Sequence, residues 1–235
     1  MKQNNNLTFW QWALIFCVAI LFFKLESGIW NLWEADTLYT KSQNYQKINR
    51  HVEGYQVLSQ AIEKLPNEPV YADEMSQLAT TLALAATEEK QATLSSQLIK
   101  MAITYSDRTI NQSSENVVFF KTRVRVLYSL SLLDKTLLPQ ALKAITRAVE
   151  LAPTDAKISY FYGLILDLNG KKQEAIKALE HTVEMKPDYR DAHFQLARAY
   201  LESGAKDLAK QQAEFIIAKI GDDEEVKNWL KEQKL

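Results

Sequence analysis

The sequence predicts an all-α protein: a single transmembrane helix near the amino terminus, then a right-handed α-solenoid of stacked helix pairs with a capping helix at the carboxyl end. Three observations predict it. Glycine and proline are scarce, 6 and 5 among 235 residues, which favours long helices and short turns over a turn-rich β-sandwich. One run near the start is apolar without interruption. The remainder repeats itself at a fixed period, as a stacked array does.

From Ala13 to Phe23 every residue is apolar or Cys. The Leu, Ile, Val and Phe residues in this run supply about -2.4 to -4.8 kcal/mol of insertion free energy. Gln11 and Lys24 oppose insertion but sit near its ends, where the lysine can snorkel. Trp10 and Trp12 stand before the run, Trp30 and Trp33 after it. A helix from Trp10 to Trp30 is about 30 Å long, the thickness of bilayer hydrocarbon, with indoles at both interfaces. A shorter span ending at Phe23, with Ile29, Trp30 and Trp33 along the surface, is the alternative. No small-x-small cleavage site follows the run, so the expectation is an uncleaved anchor over 1–34 rather than a signal peptide. Lys2 before the run and Glu26, Glu34 and Asp36 after it lean toward an amino terminus inside and an extracytoplasmic solenoid on the inner (plasma) membrane; a cytosol-facing solenoid is the other orientation.

Beyond the anchor, composition excludes more than it assigns. The formal net charge is -1, which gives no footprint for nucleic acid. Cys17 is the lone cysteine, so no disulfide forms within the chain. His51, His181 and His193 are too scattered to hold a metal. No phosphate-binding glycine loop or nucleophile elbow occurs. The expectation is a non-enzyme without cofactors.

Pro153 and Pro187 end similar phrases, "ALKAITRAVELAPTD" and "AIKALEHTVEMKPDY". Their spacing aligns three units, about 122–155, 156–189 and 190–223, in which Ala141, Ala175 and Ala209 coincide, as do Ser129, Gly163 and Ala197. Small residues recur where paired helices approach, and larger ones fill the seam. Each unit is a helix pair that cannot bury its apolar stripe alone, so units stack. Gly170 and Gly204 mark the turns within pairs. "QVLSQAIEKLPNEP" repeats the second-helix phrase and places a unit at about 35–68, with Gly54 where alanine is usual. Between 69 and 121 the phase breaks, which predicts an expanded helix pair. Asp222 with Glu225 reads as a capping box opening the cap at 222–235, with Val226, Trp229 and Leu230 inward.

The repeat resembles the tetratricopeptide repeat (TPR) family. The whole arrangement also resembles the carboxyl-terminal tail of bacterial O-antigen ligase-like membrane proteins, a last span followed by an extracytoplasmic TPR region. "EADTLYTKSQNY", "AIEKLPNEPVYADEMSQLA", "ENVVFFKTRVRVLYSLSLLD" and "AVELAPTDAKISYFYGLI" carry that likeness. The loop bearing that family's catalytic residues has no counterpart, so none is carried over. The resemblance implies a scaffold in cell-envelope glycan assembly, with a protein partner such as a polytopic envelope-glycan enzyme; the alternative is a component or carboxyl-terminal fragment of a ligase or polymerase-type glycosyltransferase.

In the TPR register the first helix of each pair faces a concave groove. The residues this places there are Arg123, Val126, Leu130 and Asp134, then Tyr160, Leu164 and Asp167, then Phe194, Arg198, Leu201 and Glu202. Lys and Asn are missing from the positions at which chaperone-binding members hold a carboxylate, which excludes that clamp. Tyr160, Leu164, Phe194, Arg198 and Leu201 form the expected binding surface, against the reading that Tyr160 and Phe194 merely pack on the next helix. The "KTRVRV" cluster reads as a solvated face, and His193 as a packing residue.

Overall fold

The computed structural model describes residues 8–235 and contains eleven α-helices among them. Lys2, on which the orientation leans, lies outside the described residues. Helix α1 runs from Phe9 to Lys47 without a break. The apolar run and the first helix of the solenoid are therefore one rod. From Phe9 to Trp33 its side chains are exposed, save the half-buried Ala13 and Ala19; burial begins at Ala35. An 18-residue stretch has a mean hydropathy of 1.9 with none of it buried. This is one helix long and apolar enough to cross a membrane; a signal sequence meets the same description.

The chain continues through α2 (His51–Lys64), α3 (Pro69–Glu88), α4 (Ala92–Gln112), α5 (Val117–Ser131), α6 (Leu138–Leu151), α7 (Ala156–Leu168), α8 (Lys172–Met185), α9 (Arg190–Glu202), α10 (Lys206–Phe215) and α11 (Glu224–Gln233). Successive helices pack as pairs, α1 on α2 through α9 on α10, and each second helix touches the next first helix. Helices α3 and α4, at 20 and 21 residues, outrun the 13 to 15 residues of α5 to α9.

Local chemistry fixes the boundaries. Pro69 opens α3, and the Glu68 carboxylate accepts from the Val70 N–H. Asn116 caps α5 through Val118, and Asp155 caps α7 through Lys157 and Ile158. In α11 the cap is Asp223, which accepts from Val226 N–H at 3.0 Å, and not Asp222; Glu225 turns away to Arg190, so the expected capping box does not form. Within four pairs the turn needs one left-handed residue, met by Asn49, Lys90, Gly170 and Gly204 at φ of 59°, 62°, 76° and 87°. The α5–α6 connection departs from this and uses a 3₁₀ turn, Lys135–Leu137, capped by Asp134.

The alanines that mark the period are fully buried at Ala141, Ala175 and Ala209. Gly163 is tighter still: a Cβ there would stand 2.8 Å from Leu179 Cγ. Apolar clusters follow one another along the stack. Leu58, Tyr71, Met75 and Leu78 fill the end near the exposed half of α1; Leu98, Leu127, Leu130, Ile145 and Ile165 fill the centre; Ala197, Ala213, Ile216 and Val226 seat α11.

Candidate functional site

The first helices α3, α5 and α7 lie side by side but are not equally spaced. Helix α3 packs directly against α5. Between α5 and α7 a groove of about 390 Å³ opens. Its floor is apolar: Ile145 of α6, buried Ile158 and Ile165 of α7, and Val124 of α5. Val118, Tyr128 and Phe161 are exposed along its walls, with half-buried Leu164 beside them. Lys121, Arg125 and Lys157 rim it.

Each cation has a traceable position. Lys121 meets Asp155 at 3.4 Å, an exposed and loose pair. Arg125 donates to Gln77 of α3. The exposed Lys157 follows the Asp155 cap by two residues, so the start of α7 fixes where its side chain begins. Burial opposes ionisation of Asp155, but the Ile158 N–H and the Lys121 charge outweigh it and hold its carboxyl below the ordinary range. Across α3, burial pushes the Asp73 carboxyl up to about 6; Thr122, Arg125 and Gln77 oppose that shift and Glu74 adds to it. The groove is therefore apolar and cationic, while the adjoining face of α1 and α3 is acidic and hydroxylic. There Tyr71 donates to Asp36 at 2.6 Å, Tyr39 stacks on Tyr71, and Gln46 donates to Glu74.

Of the five residues expected to form a binding surface, Leu164 lines this groove and the others do not. Tyr160 packs on Tyr189 at the head of α9, with ring centroids 5.1 Å apart, and burial with the Asp191 charge pushes its hydroxyl up to about 12. Phe194 lies edge-on to Trp229 of the cap, 5.5 Å between centroids, beneath the Arg190 guanidinium. Arg198 shares a shallow depression with Phe194, Glu225, Asn228 and Trp229. Leu201 is half-buried against the distal core. The structure thus places Tyr160 and Phe194 in separate packing clusters and does not bring them onto one open face.

Other groove expectations are overturned. Val126 and Leu130 are fully buried. Arg123 is buried too, donating to Ser106 at 3.1 Å and pairing with Asp107 at 2.6 Å, both on α4. Asp134 caps the 3₁₀ turn. The cause is the expanded pair, which covers the side of α5 that the repeat register would leave open. His193 is buried, stacked on Phe215 and bonded to Gln212 and Pro187. Sequence reasoning missed Val118, Tyr128, Lys157 and Phe161; the available signal was a basic cluster flanked by unexplained apolar residues. Trp10, Trp12, Trp30 and Trp33 are all exposed on α1. The described residues hold no group of three His, Cys, Asp or Glu that fits a metal ion.

Two tetratricopeptide repeat family models match the chain, one over residues 129–180 and one over 168–231. Together the two models span residues 129–231, the stretch that is similar to tetratricopeptide repeats. No curated protein matches the chain. Solved TPR structures do. YrrB, described as a TPR protein with an unusual peptide-binding site, has 17% identity and a TM-score of 0.63, over 88% of this chain and 97% of its own. MamA 41-end from Desulfovibrio magneticus RS-1 has 16% identity and a TM-score of 0.59, over 86% and 98%. A thermophilic TPR protein of Thermus thermophilus has 16% identity and a TM-score of 0.56, over 85% and 98%. At these identities the likeness shows the fold: an all-helical TPR solenoid, consistent with a scaffold for protein–protein interaction.

Proposed function

We propose that the chain is a membrane-anchored TPR scaffold whose α5–α7 groove holds a segment of a protein partner. The groove carries this reading. An apolar trough rimmed by Lys121, Arg125 and Lys157 is complementary to a peptide with bulky apolar side chains and carboxylates between them. From Val118 to Tyr128 the trough follows about 15 Å of helix, room for about five extended residues. The anchor is the exposed apolar half of α1 with its four tryptophans, and the flank without a cleavage site supports its retention. The sequence resemblance to the tail of O-antigen ligase-like proteins supports an extracytoplasmic solenoid that serves cell-envelope glycan assembly beside a polytopic enzyme.

Two measurements test this. Intact mass of the membrane-purified protein should include residues 8–33, and a carbonate wash should leave the protein in the membrane; loss of either removes the anchor. A photo-crosslinking residue at Phe161 should give protein adducts in membranes, while Lys157→Glu with Arg125→Glu should cut their yield about tenfold. Equal yields with and without the charge reversals would remove the groove.

A further inference from the structure

The unbroken helix α1 fixes where the groove stands relative to the anchor. Trp33 and Glu34 are neighbours on one rod, and Glu34 pairs with Lys64 at the end of α2 at 2.7 Å. From there, contacts run along one edge of the solenoid. Asp36 accepts from Tyr71 near the start of α3. Arg108, late in α4, donates to Pro66 and Asn67 in the α2–α3 loop. Arg147, late in α6, meets Glu115 in the α4–α5 loop at 3.1 Å. Lys121, in the first turns of α5, meets the α7 cap Asp155. This edge, continuous with the tryptophans, carries Val118, Lys121 and Lys157, one end of the groove. The other end, at Tyr128, lies away from it.

We infer that the groove receives the acidic, apolar juxtamembrane stretch of another integral membrane protein in the same bilayer, entering at the anchored edge. This rests on the anchored-scaffold reading above. The argument is charge complementarity combined with position. Three cations rim the trough, and two of them, Lys121 and Lys157, stand at the end facing the tryptophans. A chain leaving the bilayer beside α1 meets these cations first and the apolar walls next. A rod without a hinge holds that entrance at a fixed height, so a segment tethered in the same membrane meets it at high effective concentration. A soluble partner gains nothing from such an arrangement.

The test uses the full chain in its native membranes, with the photo-crosslinking residue at Phe161 and the crosslinked peptide sequenced by mass spectrometry. The expected peptide carries acidic residues and lies within about 20 residues of a transmembrane segment of its own protein, a reach of about 70 Å at most when fully extended. A ten-residue Gly-Ser insertion between Trp33 and Glu34 frees the solenoid from the rod and leaves the groove intact. It should keep the protein in the membrane and lower the yield about fivefold. Crosslinks to a soluble protein, to lipid, or to no partner overturn the inference, as does an unchanged yield after the insertion. If soluble adducts still depend on Arg125 and Lys157, the groove reading survives and only the same-membrane partner fails. If the protein washes off the membrane, the anchor fails first.

Discussion

The α3–α5 and α5–α7 junctions are built from the same repeat positions and end in opposite states. Leu130 and Leu164 are one period apart; Leu130 is fully buried, and Leu164 lines an open groove. Arg123 and Lys157 are likewise one period apart. Arg123 is buried against Ser106 and Asp107, whereas Lys157 rims the groove. The side chains at a position do not decide whether a junction is open. The neighbouring pair decides it, because the long helices α3 and α4 cover the near side of α5 and nothing comparable covers α7. In this solenoid the irregular pair closes one junction and thereby leaves the next as the open surface.

Truncation separates the two junctions most directly. Leu130→Ala should cost about 2–5 kcal/mol, the usual range for a large core residue, and Leu164→Ala about 1 kcal/mol because one side already faces the groove. Urea unfolding of the detergent-solubilised chain, followed by circular dichroism, measures both; equal costs would mean that the two junctions do not differ. Arg123→Ala should cost about 1.5–3 kcal/mol through loss of charge-assisted hydrogen bonds at a buried site, while Lys157→Ala should stay within about 0.5 kcal/mol. Gly163→Ala sharpens the contrast from within a pair. Its new methyl group meets Leu179, so a loss of about 1–3 kcal/mol is expected, and no loss would show α7 and α8 to be loosely packed.

A pH-dependent effect, smaller than that of the core truncations, concerns Asp73, which stands at the closed junction with its carboxyl pushed up to about 6. A carboxyl with a raised folded value binds its proton more tightly folded than unfolded. Its contribution is present below the ordinary carboxylate range and is lost as pH rises through about 6. Stability should therefore fall by about 1 kcal/mol between pH 4 and 6.5 from this group, partial solvent contact screening the remainder. In Asp73→Asn that component of the pH profile should vanish. A profile unchanged by the substitution would place the titration elsewhere.

Much of the fold was legible because the period is written in small residues. Ala141, Ala175 and Ala209 are fully buried, and Gly163 sits at a contact that no other residue fits without movement. The turns were legible only where glycine fills the left-handed position; Asn49 and Lys90 occupy the same conformation without announcing it. The groove was half legible. Leu164 was expected there, and Lys121 and Arg125 stood out as a cluster, though one read as a solvated face. Tyr160 and Phe194 were expected on one face because a register rule assumes that every first helix meets equal space. Tyr160 instead meets Tyr189, and Phe194 meets the cap at Trp229. Spacing between helices is set by packing across residues distant in sequence, and a local pattern does not carry it.

The continuity of α1 through Trp33 and Ala35 also makes the molecule a phase clock. Each residue of an α-helix turns the chain by about 100°. One residue added to the rod between the tryptophans and the first buried alanine would swing the whole solenoid, and the direction its groove looks, about a quarter turn around the axis of the rod. Three or four added residues would bring it nearly back. The direction in which the molecule faces its surroundings is thus set by the count of residues in a single helix, as the hour is set by the teeth of a wheel.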